Sequence, residues 1–322
     1  MAIRSGIAAQ LGFAQETTWG VFKVPDHFLE FENESLTQAR ARVESTGLRQ
    51  NNRVLRTDRW AQGKIGISGD VNFEVANKGF GLLFKNLLGA SSSVADGLGT
   101  HWTFTYGDPF GLGMTVQVGR PDVSGTVQPF TYTGCKPTAW EFSNAVDGIL
   151  MCKTTFDGQA ETTSQTLATA SYPVSQELFV FTEGTLTVGG VTTPVTDFSL
   201  TQTTGLKTDR YFIGTQTKSE QILDSWATPA GSFTMELTDL VAYNRFVNGT
   251  VGALTMTYTT VSTYDTAKPF KIQFSVPNVR FDGTTPNVTS PGITMLSLPY
   301  VGLNDGVNSP VSIDYWTSDS TL

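Results

Sequence analysis

The sequence is poor in the residues that carry most catalytic chemistry. Among 322 residues there are only two histidines and two cysteines, and charged residues make up 16%. His27 and His101 lie far apart, and neither has a cysteine or second histidine at the spacing of a metal site. The chain also lacks a G-x-x-x-x-G-K-[ST] phosphate loop and a G-x-S-x-G motif. These absences argue against an enzyme and against a bound cofactor or metal.

Other absences bear on the cellular compartment. The two cysteines, Cys135 and Cys152, permit a disulfide but do not require one, and a reducing compartment is the simpler interpretation. No apolar run approaches the roughly 18 residues that a membrane-spanning helix needs. The N-terminal stretch MAIRSGIAAQLGF has one basic residue and an apolar patch broken by Gln10, so it is a poor signal peptide. We therefore expect a cytosolic product without a membrane partner.

What is abundant indicates β structure. The 32 glycines and the many Thr, Ser and Val residues are typical of a mainly β protein with many turns. The stretch LEFENESL alternates with period two, placing Leu29 and Phe31 on one face and Glu30, Glu32 and Glu34 on the other. Two same-face carboxylates also fit the spacing of a glycosidase pair, but alternating glutamates on one strand are far more often a solvated face.

The chain carries an internal echo. LRTDRW at 55–60 returns as LKTDRY at 206–211, and each copy is preceded by SLT. Each is followed by a strand-like run, GDVNFEV or GSFTMEL, and then by a helix-like segment that stops at glycine. Later each half contains FDG. The ordered matches favour an internal duplication, and the alternative is convergent turn chemistry.

The duplication predicts the domain organisation, since 322 residues suffice for two domains of ordinary size. We predict an N-terminal arm at 1–27, a first module at 28–177 and a second module at 178–322. Each module should be mostly antiparallel sheet with one short helix, at 76–88 and 238–248 respectively.

Charge is unevenly distributed. The net charge is −8, which repels nucleic acid overall. Residues 38–64 carry seven basic groups against Glu44 and Asp58, a local balance of +5, which leaves −13 for the rest. Six of these groups are arginines: Arg40, Arg42, Arg49, Arg53, Arg56 and Arg59. The segment is a solvated loop, a phosphate-binding arm or an assembly arm, and arginine suits ordered interface pairs best.

The segments GFAQETTWG, FENESL, ARVESTGLR, GISGDVNFEV, FTYTGCKPTAWEFSNAVDGIL, TFDG, LATASYP and LKTDRYFIG together resemble the tail tube (major tail) proteins of phages with long, non-contractile tails, especially those of actinobacterial hosts. The resemblance extends from about residue 12 to 250. It implies β-sandwich or half-barrel modules, each with one helix, whose inner sheets join between subunits around a lumen. Rings of subunits then stack into the tube through which the genome passes.

The resemblance also implies roles for particular residues. The long loops at 37–62 and 202–228 would contact the next ring, the first through its six arginines and Asp58, the second through Lys207, Asp209 and Arg210. The second loop is electrically neutral, unlike the first. Glu30, Glu32 and Glu34 are candidates for the lumen wall or for the acceptor of a neighbouring ring's arginines.

Because single-module relatives form six-membered rings, two modules per chain predict a trimer with pseudo-sixfold symmetry. A hexamer of whole chains is the alternative if the second half only decorates the ring. The expected partners are further copies of the chain, the tape-measure protein, and the tail tip and tail terminator proteins, with DNA passing without specific binding. The protein would then reside in the virion tail after assembly in the bacterial cytoplasm. The rival function is a soluble β-sandwich module that binds carbohydrate or host, or another virion surface protein.

Overall fold

A computed structural model describes residues 5–288 and 291–322. The described part is mainly β, with two short α-helices, which confirms the predicted fold class. The helices are α1 (Gly81–Leu88) and α2 (Val241–Val247). The strands of the first half are β1 (Gln10–Gln15), β2 (His27–Phe28), β3 (Asn33–Glu34), β4 (Thr37–Glu44), β5 (Trp60–Glu74), β6 (Gly89–Asp96), β7 (Gly99–Tyr106), β8 (Met114–Pro121), β9 (Val127–Ala145), β10 (Met151–Gly158) and β11 (Ala160–Thr162). Those of the second half are β12 (Gly184–Val188), β13 (Val191–Thr192), β14 (Asp197–Thr203), β15 (Leu206–Lys207), β16 (Ile222–Leu223), β17 (Thr228–Glu236), β18 (Gly252–Asp265), β19 (Lys268–Phe281), β20 (Met295–Gly302) and β21 (Ser312–Thr317).

One antiparallel sheet runs through both modules, and we call it the main sheet. Its order is β4, β5, β10, β9, β14, β17, β20 and the end of β19. The modules meet where β9 pairs with β14 over seven residues. Along β5, β14, β17, β20 and the second half of β9, buried and accessible residues mostly alternate, as period two requires when a sheet covers a core with one face.

Two further sheets complete the sandwich, because β9 and β19 are long enough to leave the main sheet. The first half of β9 pairs with β8, which continues to β1 and β2. The first half of β19 pairs with β21, which continues to β7 and β6, while β18 flanks β19 on its other side. A single hydrophobic cluster fills the space between the layers of both modules.

The helices occur where the sequence predicts them but differ in burial. Helix α1 ends at Gly89, whose φ of 99° lies in the left-handed region that favours glycine. Seven of its eight residues are buried, and Phe84 packs its ring 5.4 Å from that of Tyr315 on β21. No residue of α2 is buried. The two modules therefore share an element but do not cover it equally.

The two modules share a local geometry at two strand pairs of the main sheet, where the chain enters β4 beside β5 and where β14 meets β17. A Cβ on Gly69 would lie 2.4 Å from the carbonyl oxygen of Ser35, and a Cβ on Gly231 would lie 2.1 Å from that of Ser199. In both modules the N–H of the residue after the glycine donates to the Oγ of that serine, at 2.9 Å and 3.1 Å. The SLT and glycine echoes thus occupy equivalent positions, whereas the two FDG triplets lie on β10 and at the end of β19, which are not equivalent strands.

Two sequence predictions require correction. Much of the segment 1–27 is not a free arm, since β1 is buried between β2 and β8. The segment 37–62 is not a simple loop either: β4 pairs with β5 as far as Glu44 and Trp60, and only residues 45–59 form the loop. The strand pairing within 37–62 was not predicted, because strands that are exposed on both faces lack the apolar alternation that indicates a strand. The module boundaries at 28–177 and 178–322 stay a prediction.

Candidate assembly surfaces

The open face of the main sheet is polar. The buried face carries residues such as Phe73, Phe142 and Phe233, and the opposite face carries mostly serine, threonine and charged side chains. We call this opposite face the polar face and define it by the following residues: Ser68, Asp70, Asn72, Glu74, Ala139, Glu141, Ser143, Met151, Lys153, Thr155, Asp197, Ser199, Thr201, Thr203, Ala230, Ser232, Thr234, Glu236, Met295, Ser297 and Pro299.

The polar face is acidic. The residues defined above carry five carboxylates, on Asp70, Glu74, Glu141, Asp197 and Glu236, against the ammonium group of Lys153. The exposed Arg280 at the end of β19 lies on the same face and pairs with Asp282 at 3.0 Å. The Lys153 Nζ lies 2.9 Å from Asp70, and hydrogen bonds from Thr155 and this lysine lower the pKa of Asp70. The surface therefore stays negative at neutral pH across both modules.

A second surface is the exposed β-hairpin formed by residues 37–62, which we call the hairpin arm. None of its residues is buried, and all but two are exposed. Ile65 is the buried residue of β5 nearest to the hairpin arm. From Ile65 the paired strands β4 and β5 extend roughly 13 Å before the loop of the arm begins. Val43, Leu48 and Val54 add exposed apolar side chains to the arm. An exposed hairpin of this kind is suited to contact another molecule.

Most of the arm's positive charge is unpaired. Arg56 and Arg59 both approach Asp58, at 2.6 Å and 4.0 Å, and the pKa of Asp58 is lowered mainly by the Arg56 hydrogen bonds. Within the described residues no ion pair is formed by the four other arginines predicted to act in stacking: Arg40, Arg42, Arg49 and Arg53. Arg40 donates to Gln62, and Arg42 lies 5.5 Å from the ring centre of Trp60. Four guanidinium groups thus remain available to external carboxylates.

The second loop, residues 204–227 between β14 and β17, folds back on the first module. Tyr211 donates its hydroxyl to the Ile65 carbonyl at 2.5 Å, and the Ile65 N–H donates to Gln216 at 2.9 Å. The Gln216 side chain also donates to the Gln62 carbonyl at 3.2 Å. The second loop therefore braces the base of the hairpin arm instead of extending as a matching arm.

The predicted contact residues of this loop are engaged within the chain. Lys207 lies 3.5 Å from Asp209 and 3.2 Å from Asp224, and hydrogen bonds and charge from both raise its pKa. Arg210 donates to the Glu220 carbonyl at 2.5 Å. Their role in ring stacking stays a prediction, and the geometry gives them a local structural role as well.

Buried ion pairs fasten the second loop. Lys218 lies 2.5 Å from Asp157 on β10, with side-chain exposures of 4% and 10%. Lys136 on β9 lies 2.6 Å from Glu220. Gln221 is buried and donates to Asp157 at 2.7 Å. Burial lowers the pKa of Lys136 and raises that of Asp157, and the hydrogen-bonded partners oppose both changes.

The three glutamates predicted as one face do not act as one. Glu30 and Glu32 are exposed and line a surface pocket of about 540 Å³ together with Glu74 and Phe31. Glu34 instead accepts two hydrogen bonds from Arg120, both at 2.9 Å, and a third from the Leu36 N–H. Within the stretch predicted as one strand, residues 29–32 are irregular and only Asn33 and Glu34 form a strand, β3, which separates Glu34 from the other two.

No catalytic constellation is formed by the described residues. His27 pairs with Asp26, and His101 pairs with Asp314 in a separate part of the fold. Within residues 5–288 and 291–322 there is no group of three or more potential metal ligands. Both cysteines are free and buried, and burial raises the pKa of Cys152 to about 12. Neither helix in this part of the chain has the length and apolar character needed to cross a bilayer.

A mainly β chain with an acidic open sheet face and a basic exposed hairpin has the features of a structural β protein. The family model for the phage tail tube protein matches residues 6–302, and the chain belongs to this family. The resemblance inferred from the sequence is thereby confirmed, and the protein is a structural component of the virion tail. The comparison with curated proteins gave no match.

Sequence reasoning missed two functional features. The polar face was missed because its residues are brought together by strand pairing between positions far apart in the chain, such as Glu141 and Thr201. The buried pairs of the second loop were also missed. The neutral charge balance of that loop was their only signal, since charges that pair internally tend to balance.

Proposed function

We propose that this tail tube protein polymerises into stacked rings that form the conduit for genome ejection. The observation that carries the proposal is the main sheet, which already joins two like modules edge to edge through β9 and β14. A sheet with open edges must cap them or pair them. Pairing the outer edges of successive copies would continue the sheet into a closed wall, which removes the edges altogether.

The acidic polar face is the proposed wall of the lumen. Its five carboxylates lie on the face of the sheet opposite the core, where a shallow pocket of about 400 Å³ lies over the junction of β9 and β14. DNA carries dense negative charge, so such a wall repels it and lets it slide. This assigns the lumen to Asp70, Glu74, Glu141, Asp197 and Glu236 in place of a face made of Glu30, Glu32 and Glu34.

The hairpin arm is the proposed stacking element. Its four unpaired guanidinium groups would meet carboxylates on the adjacent ring, and Glu30 and Glu32, which line the surface pocket, are the candidate acceptors. The contact is head to tail, so it repeats indefinitely and builds a tube. The tape-measure, tail tip and tail terminator proteins would set the length and the ends of the tube.

Three chains would complete one ring, because each contributes two modules to the wall. The shared serine and glycine geometry of the two modules supports their equivalence in that wall. Electron microscopy and native mass spectrometry of concentrated protein test the proposal. We expect rings of three chains that stack into tubes; a stable monomer that binds a glycan would favour the rival binding function, and a ring of six whole chains would refute the trimer.

A variant separates stacking from ring formation. Replacing residues 45–59 by a two-residue Asn-Gly turn shortens the hairpin arm and removes Arg49, Arg53, Arg56 and Arg59 while keeping the β4–β5 pairing. We expect folded rings that do not stack. Tubes of normal length from this variant would show that the loop at 45–59, with Arg49 and Arg53, is not the stacking element.

A further inference from the structure

The two ends of the main sheet are not finished in the same way, and the difference identifies the joint between copies. In the first module β9 lies between β10 and β14. In the second module the corresponding strand, β19, stops at Phe281, and residues 282–288 continue without regular structure. As a result, β20 from Met295 to Leu298 pairs with β17 alone. The second module lacks the strand that its own internal copy possesses.

The structure fixes which residues would form the missing strand. In the first module Ala139 lies opposite Thr155 on β10, and Thr155 lies opposite Asp70 on β5. In the second module Ser232 stands at the position of Asp70, and its partner on β20 is Pro299. The N–H of Asp282 donates to the Pro299 carbonyl at 2.8 Å. Asp282 therefore occupies the place of Ala139 and begins the missing strand.

The partner of this strand follows by the same correspondence. Ala139 also lies opposite Thr203 on β14, which in turn faces Thr228 on β17. The first-module residue at the position of Thr203 is Ala39 on β4, facing Gly66 on β5. Strand β4 is an edge strand whose outer side is unpaired in the described part of the chain.

We propose that residues 282–288 become a strand on assembly and pair with β3 and β4 of the next copy, in the register that places Asp282 opposite Ala39. This rests on the proposed function and names its joint. Two residues along, Thr284 lies opposite Thr37, and both are exposed in the single chain. Gln38 and Gly283 then form a hydrogen-bonded pair.

The proline in the segment is compatible with this register. On β9 the hydrogen-bonded pairs with the second module include Thr138 with Thr204, so the bonds to β14 come from even-numbered residues. Pro286 takes the place of Ser143, an odd-numbered position that directs its backbone away from β14. The missing N–H of Pro286 therefore removes no bond between copies.

Helix α2, which has no buried residue, is a second feature left uncovered in the single chain. Helix α1 is covered by β21, which belongs to the module that follows it. The module that follows α2 is the first module of the next copy. On or beside α2, the side chains of Leu240, Val241 and Val247 are each more than half exposed in the single chain. The hydroxyl groups of Tyr243 on α2 and of Thr285 form a hydrogen bond of 3.1 Å, which connects the helix to residues 282–288. The next copy would thus cover α2 as it pairs with residues 282–288.

Disulfide cross-linking tests the register. Thr37 and Thr284 form a non-hydrogen-bonded pair, for which the Cα atoms lie about 4.5 Å apart, within the range of a disulfide. The native cysteines are buried, so oxidation of Thr37→Cys/Thr284→Cys tubes should give covalent multimers of the chain. The control Thr37→Cys/Val288→Cys moves one cysteine by four residues, roughly 13 Å, and should not link.

The outcomes distinguish this inference from the proposed function. If rings form but residues 37 and 284 do not link, or if 37 links equally well to 288, the register is wrong and the proposed ring assembly is unaffected. Absence of rings in the unmodified protein overturns both. If the cysteine variants do not fold, hydrogen exchange of the unmodified protein decides: the amides of Gly283, Thr284, Thr285 and Asn287 should exchange at least about tenfold more slowly in tubes than in monomers, and equal rates refute the ordering.

Discussion

Replacing Asp157 with asparagine tests how the second loop holds the hairpin arm. The Asp157 carboxylate lies 2.5 Å from the Lys218 ammonium and also accepts a hydrogen bond from Gln221 at 2.7 Å. Asparagine keeps the shape of the side chain and removes the charge. Lys218, only 4% exposed, is then left as a buried cation without a counter-charge.

The expected cost is large because a buried charge loses its partner. Breaking a buried pair from one side costs about 3–5 kcal/mol. With an m-value of roughly 3 kcal/mol per molar urea, the unfolding midpoint should fall by roughly 1–1.7 M. Adding Lys218→Met removes the unpaired charge, so the double variant should be more stable than Asp157→Asn alone.

Urea unfolding of the monomer, followed by fluorescence and circular dichroism, provides the measurement. Hydrogen exchange at Ile65, whose N–H donates to Gln216 of the second loop, reports the local consequence and should accelerate in the Asp157→Asn variant. The matched control is Lys207→Met, which removes an exposed ion pair in the same loop and should leave the midpoint unchanged. If Asp157→Asn and Lys207→Met shift the midpoint equally, the second loop is not held by the buried pair.

Three further predictions concern other parts of the fold. Gly69→Ala and Gly231→Ala should each destabilise the protein by about 1–3 kcal/mol, because each new Cβ meets a serine carbonyl, whereas Gly6→Ala, with nothing within 4 Å, should not; unequal effects at the two positions would argue against their equivalence. Burial raises the pKa of Glu16 above its ordinary value of 4.5, so its contribution to stability is greatest below that pH and declines as the pH rises through the raised pKa. The Glu16→Gln variant should lack this decline in urea midpoints compared at about pH 5 and pH 8, and an unchanged decline would exclude Glu16 as its source. Replacing Glu141, Asp197 and Glu236 by lysine should leave tubes intact but slow DNA release in an ejection assay, because a basic wall binds phosphate; unchanged release kinetics would remove the polar face from the lumen.

The local parts of the fold could be predicted from the sequence because their signals are local. The period-two pattern around Phe73 marks β5, and Gly89 marks the end of α1. The SLT and glycine repeats identify equivalent positions in the two modules because, within each module, the serine and the glycine lie next to each other on neighbouring strands.

Features that depend on long-range pairing were not accessible in this way. The join of β9 to β14 aligns residues more than fifty positions apart, and only that alignment reveals the acidic polar face. Residues 10–15 contain an apolar core strand, yet the small and polar residues around them indicate an arm. In the sequence Glu34 cannot be distinguished from Glu30 and Glu32, because the residue that binds it, Arg120, is far along the chain.

If one chain contains two modules, as we propose, only one of the two has to carry the contact to the next ring. Only the first module has an exposed hairpin arm. The equivalent segment of the second module, the second loop, packs against the base of that arm through the hydrogen bond from Tyr211 to Ile65. In a three-chain ring, hairpin arms of the first modules would then alternate with second loops of the second modules around the rim. Successive rings would seat in three equivalent rotations instead of six, so the tube could carry a coarser helical step than one made from single modules.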